Sequence, residues 1–258
     1  VEGDPRRLPP APTWSGGWQL GPPDLVLESP AYRLRAGGDD MWRNFVIPIP
    51  IKARRFIKAW QFLPGNHVVH HATFQFDTTG RSRQLDAKDP QPGYEGLIGL
   101  SVQGPDGFFL NWGSGHAPYV APEGMAWPLE KNTDLVMMLH LRPSGKEEIV
   151  RAKLGLYFSD APSRVPSLVR LTRQHMDIPA GESHYTVVDS YRLDVDVDVH
   201  TIAPHAHYLA TRIDSSAILP DGSRKPLISI PDWNIHWQDV YRYVQPVSLP
   251  AGTTVVME

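Results

Sequence analysis

The sequence predicts an all-β chain of β-sandwich architecture, and three observations carry that expectation. Short runs rich in Val, Ile, Phe and Tyr recur at roughly 8–12-residue spacing. Pro and Gly, 26 and 21 in number, punctuate them. No segment sustains a helical apolar period beyond a turn or two.

The elements follow in order. Residues 1–40 are rich in Pro, Gly and Trp and read as an extended lead-in or linker. NFVIPIPI, RRFIKAWQFLP and HVVHHATFQFD then read as strands of a first domain. DTTGRSRQLDAKDPQPGYEG is too polar for core and reads as a long loop, and GLIGLSVQGPDGFFLNWGSG reads as irregular. DLVMMLHLRP and AKLGLYFSD are strands again, parted by a turn at PSGKEE. Pro and Ser cluster at SDAPSRVPS, which sets a boundary between domains at 41–162 and 163–258. The second domain repeats the β texture in ESHYTVVDSYRLDVDVDVHTI, PHAHYLATRIDSSAILPDGSRKPLISI, YRYVQPVSL and TTVVM. Within it DVDVDVH alternates, setting Val against Asp194, Asp196, Asp198 and His200, and LPDGS reads as a hairpin turn. The Pro-rich start suggests a chain that continues upstream. The terminal apolar strand suggests a second domain incomplete at Glu258.

Composition narrows the function classes. A net charge of -3 with no Lys/Arg-rich run carries no nucleic-acid footprint. No apolar stretch approaches the roughly 20 residues of a membrane helix. With no cysteine there are no disulfides and no all-thiolate metal site, which leaves a periplasmic or secreted setting open. Phosphate-loop, nucleophile-elbow and H-E-x-x-H patterns are absent.

The histidines are the chemically informative residues. His70 and His71 are adjacent, His140 stands alone in an apolar run, and His205 and His207 alternate. Five imidazoles on three strand-like segments suit copper, iron, nickel or zinc. On a strand, His205 and His207 would point to one face and could share an ion; two surface histidines are the equal alternative. His70 and His71 would point to opposite faces, so both can reach one ion only if the strand is bulged or ends there. His67 competes with them, and His140, taken alone in its apolar run, reads as a satisfied core histidine ahead of a ligand.

VVHHATFQFD, DLVMMLHLRPSGK and PHAHYLATRI, in that order and spacing, resemble the three histidine motifs of the copper type II, ascorbate-dependent monooxygenases. That family includes peptidylglycine α-hydroxylating and dopamine β-monooxygenases. The resemblance runs from about Trp42 to the end, and LPGN, LPDGS and LPAGT are most similar to bacterial homologues. It implies two jelly-roll-type β-sandwich domains with one copper each. His70, His71 and His140 would hold an electron-transfer copper, and His205 and His207 the copper that activates oxygen. It further implies a small organic substrate, ascorbate or another electron donor, and an upstream cytochrome-like domain as a possible partner. The family's third ligand at the second copper is a Met, which no position here matches; it is expected beyond Glu258. Peptide-amidating members carry Arg where this chain has Ala203, so peptide amidation is not expected. HLRP stands where many relatives have HYHP, which places Arg142 beside the third ligand. The alternatives are a copper-binding or electron-transfer module without oxygen chemistry and a β-sandwich binding module with incidental histidines.

Other residues read more plainly. Trp233 and Trp237 flank His236 and suit packing more than a pocket. His116 reads as a loop histidine. The Asp194, Asp196 and Asp198 face reads as solvated, because a straight strand cannot wrap calcium. Of Met137 and Met138, one is expected in the core, with a thioether role at copper as the alternative.

Overall fold

The structure is a computed structural model, and it describes residues 17–96 and 110–258 apart from 163, 174, 175, 207, 208, 236 and 238. The chain is nearly all β and divides into two compact units, Val1–Ser167 and Leu168–Glu258. None of the helices among the described residues is long and apolar enough to cross a membrane.

Unit 1 runs β1 (Leu25–Glu28), β2 (Tyr32–Leu34), β3 (Met41–Pro48), β4 (Arg55–Leu63), β5 (Val69–Asp77), α1 (Arg81–Asp86), β6 (Tyr94–Glu95) and β7 (Leu110–Gly113). It continues through β8 (Tyr119–Val120), β9 (Trp127–Leu129), β10 (Asp134–Leu141), β11 (Glu148–Val150) and β12 (Lys153–Ser159). One sheet has the order β1-β12-β4-β8, with β9 also pairing β4. The other has the order β6-β3-β10-β5-β7, and β2 pairs β11 apart from both. Period-two alternation decides which face each residue joins. In the second sheet Phe45, Phe74, Phe76, Leu135, Met137 and Leu139 point into the core and are fully buried. They meet Ile57, Leu154 and Leu156 of the first sheet. Phe74 is the junction, its ring centroid 5.8 Å from Trp60 and 5.1 Å from Phe62. The two sheets therefore make a sandwich with an aromatic centre.

Two segments of unit 1 carry more regular structure than the sequence suggests. Residues 17–40 of the lead-in contribute β1 and β2, and their start lies on the first sheet: Gln61 accepts from the Gln19 amide at 2.7 Å and donates to Gly17 O at 2.8 Å. The polar loop after β5 contains α1. Asp77 starts that turn without being its N-cap: its carboxylate accepts the Thr79 and Ser82 amides at 2.7 and 2.9 Å and both hydroxyls as well.

Unit 2 contains β13 (Asp189–Arg192), β14 (Val197–Ile202), β15 (Ile213–Ile218), β16 (Arg224–Ile230), β17 (Tyr241–Leu249) and β18 (Thr254–Met257). Four strands pair in the order β13-β18-β15-β16, and β14 pairs β17. Leu193, Ala217, Leu227 and Leu249 form its small core, with Val197, Val199 and Val247 packed against them. The Asp-Gly turn behaves as expected: Gly222 takes φ +84°, and Asp221 accepts from the Ser223 amide at 2.9 Å. The alternating Val-Asp run is strand only from Val197. Val195 is 65% exposed, Asp196 accepts the Ala251 amide and Asp198 accepts the Ser248 hydroxyl.

Candidate metal centre

The candidate centre is built on β10, which is buried along its whole length between β3 and β5. Leu135, Met137, Leu139 and Leu141 face the core, so Asp134, Val136, Met138 and His140 face the other way. Cross-strand partners share a face. His140 pairs with Trp42 on one side and His71 on the other, and His71 pairs with Gly113 of β7. One row across the sheet therefore reads Trp42, His140, His71, Gly113.

His70 joins this row through a β-bulge. The β5–β10 ladder is regular from Asp77–Asp134 to His71–His140, after which Leu141 pairs with Val69. His70 is the extra residue, and the bulge turns its side chain towards the face that His71 already occupies. The turn before β5 fixes where the bulge falls. Gly65 takes φ +70°, and a Cβ there would lie 2.1 Å from Arg151 O, so only glycine fits. The Asn66 side chain then accepts the Val68 amide at 3.2 Å, and Val68 O accepts the Arg142 amide at 2.9 Å, tying both strand ends together.

The three rings converge. Centroids are 4.6 Å apart for His71 and His140, 5.0 Å for His70 and His140, and 5.4 Å for His70 and His71. One nitrogen from each ring lies within 4.8 Å of the other two. Nδ1 of His140 is 3.0 Å from Nε2 of His71, while its Nε2 is 2.8 Å from Asp40 Oδ2. The Trp42 ring stacks on His140 at 4.5 Å and 15°. His140 is 7% exposed, and this burial pushes its pKa below the usual histidine value, outweighing the Asp40 hydrogen bond and charge that raise it. The neutral ring is the form that binds metal.

The donor set suits a transition metal. Two nitrogens about 2.0–2.1 Å from one ion lie about 2.9–3.4 Å apart at bond angles of about 90–109°. The 3.0 Å separation of the His140 and His71 nitrogens falls in that range. Three imidazoles without a carboxylate in the set suit copper, zinc, iron or nickel, and not calcium or magnesium. A pocket of about 300 Å³ opens beside His70, lined by Val69, Ser114, Arg142 and Ser144 among others. A larger one, about 610 Å³, lies at Ser29, Pro30 and Pro48 and has no histidine in its wall.

The remaining histidines fall elsewhere. The His67 side chain is 71% exposed and lies 3.9 Å from Glu148, outside the cluster. His116 Nδ1 accepts the Gly113 amide at 3.2 Å and belongs to the loop. His205 corrects the strand reading: residues 203–206 follow β14 without strand structure, and His205 is exposed. Pro204 has no N–H to continue a ladder. His207 and His236 lie outside the described residues. Trp233 is buried and Trp237 is 65% exposed. Met137 packs in the core, while Met138 is buried on the His140 face, across from Asn44 and Thr73.

Asp40 and Trp42 were not singled out from the sequence. No motif marks them; the signal is the β3–β10 register, which sets Trp42 opposite His140 and brings Asp40 to the same strand end. A scan against protein-family models and a search of curated proteins match nothing to this chain.

Proposed function

We propose that this chain is a copper-dependent monooxygenase-like protein that hydroxylates a small organic substrate, using O₂ and ascorbate or another external reductant. The observation that carries the reading is the convergence of His70, His71 and His140, two strands and one bulge bringing three imidazoles within reach of one ion. The resemblance of the three histidine motifs makes copper the metal. Copper, when bound, supplies one-electron Cu(II)/Cu(I) chemistry.

The protein's own part is positioning. Burial favours the neutral, metal-binding form of His140. The pairing of β5 with β10 holds His71 and His140 on a rigid frame, so a change of oxidation state asks little movement of them. His70 lines the pocket of about 300 Å³ that opens beside the centre. The overall reaction is substrate–H plus O₂, two electrons and two protons to substrate–OH and water. His205 and His207 are the proposed ligands of a second copper in unit 2. The same reading sets the protein in the periplasm or outside the cell, fed by an electron donor such as an upstream cytochrome-like domain.

Copper stoichiometry with electron paramagnetic resonance of the Cu(II) form, on wild type and His140→Ala, tests this. Type II spectra at one to two coppers per chain, with one nitrogen-rich signal lost in the variant, are expected. No specific copper, or zinc bound regardless of His140, would remove the reading. A second reading is a copper-binding or electron-transfer module. It is favoured by the one ligand cluster among the described residues being three imidazoles. Substrate-dependent O₂ consumption by the copper-loaded chain separates the two.

A further inference from the structure

We propose that Asp40 is a positioning residue of the three-histidine centre: it takes the Nε2–H of His140 and so commits that ring to bind metal through Nδ1. This rests on the reading of His70, His71 and His140 as a metal centre.

The geometry leaves His140 two different neighbours. Nε2 faces a carboxylate oxygen at 2.8 Å, and Nδ1 faces the Nε2 of His71 at 3.0 Å. A neutral imidazole carries one proton, and a carboxylate only accepts. The proton therefore sits on Nε2, and the lone pair on Nδ1 points into the cluster. Without the carboxylate both tautomers are open, and the one protonated at Nδ1 blocks the ion. Two further contacts hold the arrangement. Trp42 stacked on the ring at 4.5 Å restricts its rotation. The Arg142 guanidinium, 3.7 Å from Asp40 Oδ2, keeps an opposite charge beside the carboxylate. Asp40, Trp42 and Arg142 come from the near ends of β3 and β10, so sheet register brings Trp42 onto the ring and Asp40, with Arg142 beside it, to its Nε2. A carboxylate on the far nitrogen of a ligand histidine also raises the ring's basicity, which favours Cu(II) over Cu(I).

The test uses the whole chain as wild type, Asp40→Ala, Asp40→Asn, Asp40→Glu and His71→Ala. Three quantities are read: Cu(II) affinity by competition with a chelator of known strength, the copper reduction potential, and the His140 tautomer by ¹⁵N imidazole resonance without metal. Asp40→Ala should weaken Cu(II) about 10–100-fold, lose the single Nε2–H tautomer and move the potential to more positive values. Asp40→Asn should move the potential the same way, and Asp40→Glu should restore affinity and tautomer. A purely structural role for Asp40 would leave the tautomer and potential of folded variants unchanged, and that result overturns the proposal. So does an Asp40→Ala affinity within twofold of wild type. A nitrogen-rich Cu(II) signal and a tight-site affinity both unchanged in His71→Ala would instead overturn the metal centre itself, and the role of Asp40 with it.

Discussion

His140→Ala should abolish most of the stabilisation that copper gives unit 1. Suppose Cu(II) is buffered at 100 times its wild-type Kd. Binding to the folded state alone then adds about 2.7 kcal/mol. For a unit the size of Val1–Ser167, each kcal/mol moves Tm by about 2–4 °C, so the copper-induced shift in wild type is about 5–11 °C. His140 is the middle ring of the row, 3.0 Å from His71 and 5.0 Å between centroids from His70. Its loss leaves two ligands, and the affinity should fall by at least the ~100-fold typical of the strongest outer-shell effects. At that affinity the same copper adds about 0.4 kcal/mol, a shift of about 1–2 °C. Calorimetry of each variant with and without copper reads the difference. Any cost of the substitution to the metal-free fold cancels, because each variant is its own reference. His67→Ala is the control: its side chain is 71% exposed and outside the cluster, so its shift should equal that of wild type. A copper shift above 5 °C retained in His140→Ala refutes the assignment of this ring as a ligand.

Three further outcomes follow from the same contacts. Deleting His70 should leave Val69–Leu141 next to His71–His140 in an unbroken ladder; circular dichroism should show a folded chain, and copper titration a lost tight site. Phe74→Ala should destabilise unit 1 by about 3–5 kcal/mol in urea unfolding, since Phe74 is fully buried between Trp60 and Phe62; a loss under 1 kcal/mol contradicts the packing. Burial raises the Asp77 carboxyl pKa, but the hydrogen bonds from Ser82 and Thr79 outweigh it and hold the pKa below the ordinary value. Asp77 thus adds stability that is complete above the unfolded carboxyl pKa of about 3.9 and is lost as pH falls through the lower folded value. Asp77→Asn should flatten the acid limb of a stability–pH curve, and an unchanged limb counts against this.

The legible parts of the fold are those set by local pattern. HVVHHATFQFD and DLVMMLHL show their strands as short, nearly continuous apolar runs, because strands buried on both faces need apolar residues at almost every position. The Asp-Gly turn at Gly222 is likewise a local demand, needing φ +84°. Helix α1 was hidden in a polar stretch because its start is held by Asp77, a residue of the preceding strand. Asp40 and Trp42 were hidden for a stronger reason. They act on His140 from about 100 residues away through sheet register, and register is a property of paired strands, not of either sequence. At His205 the local pattern misled: an alternating His-x-His follows Pro204, where the ladder of β14 has already ended.

The bulge at His70 shows how fold and chemistry divide the work. A regular strand places neighbours on opposite faces, so His70 would enter the core side of the sandwich near Leu141 and Trp112, where an imidazole costs burial energy unless bonded. Inserting it as the extra residue of the bulge turns the ring to the cluster face instead and spares the packing of Phe74, Phe76 and Leu139, which continue in register on the far side. The insertion falls at the strand end, tied by Asn66, Val68 and Arg142, where a broken ladder loses least. The core therefore sets where His71 and His140 stand, and the bulge alone adds the third ring. Substitutions in the core should disturb copper binding only by unfolding unit 1, whereas changes in strand length between Gly65 and His71 should remove binding from a folded protein.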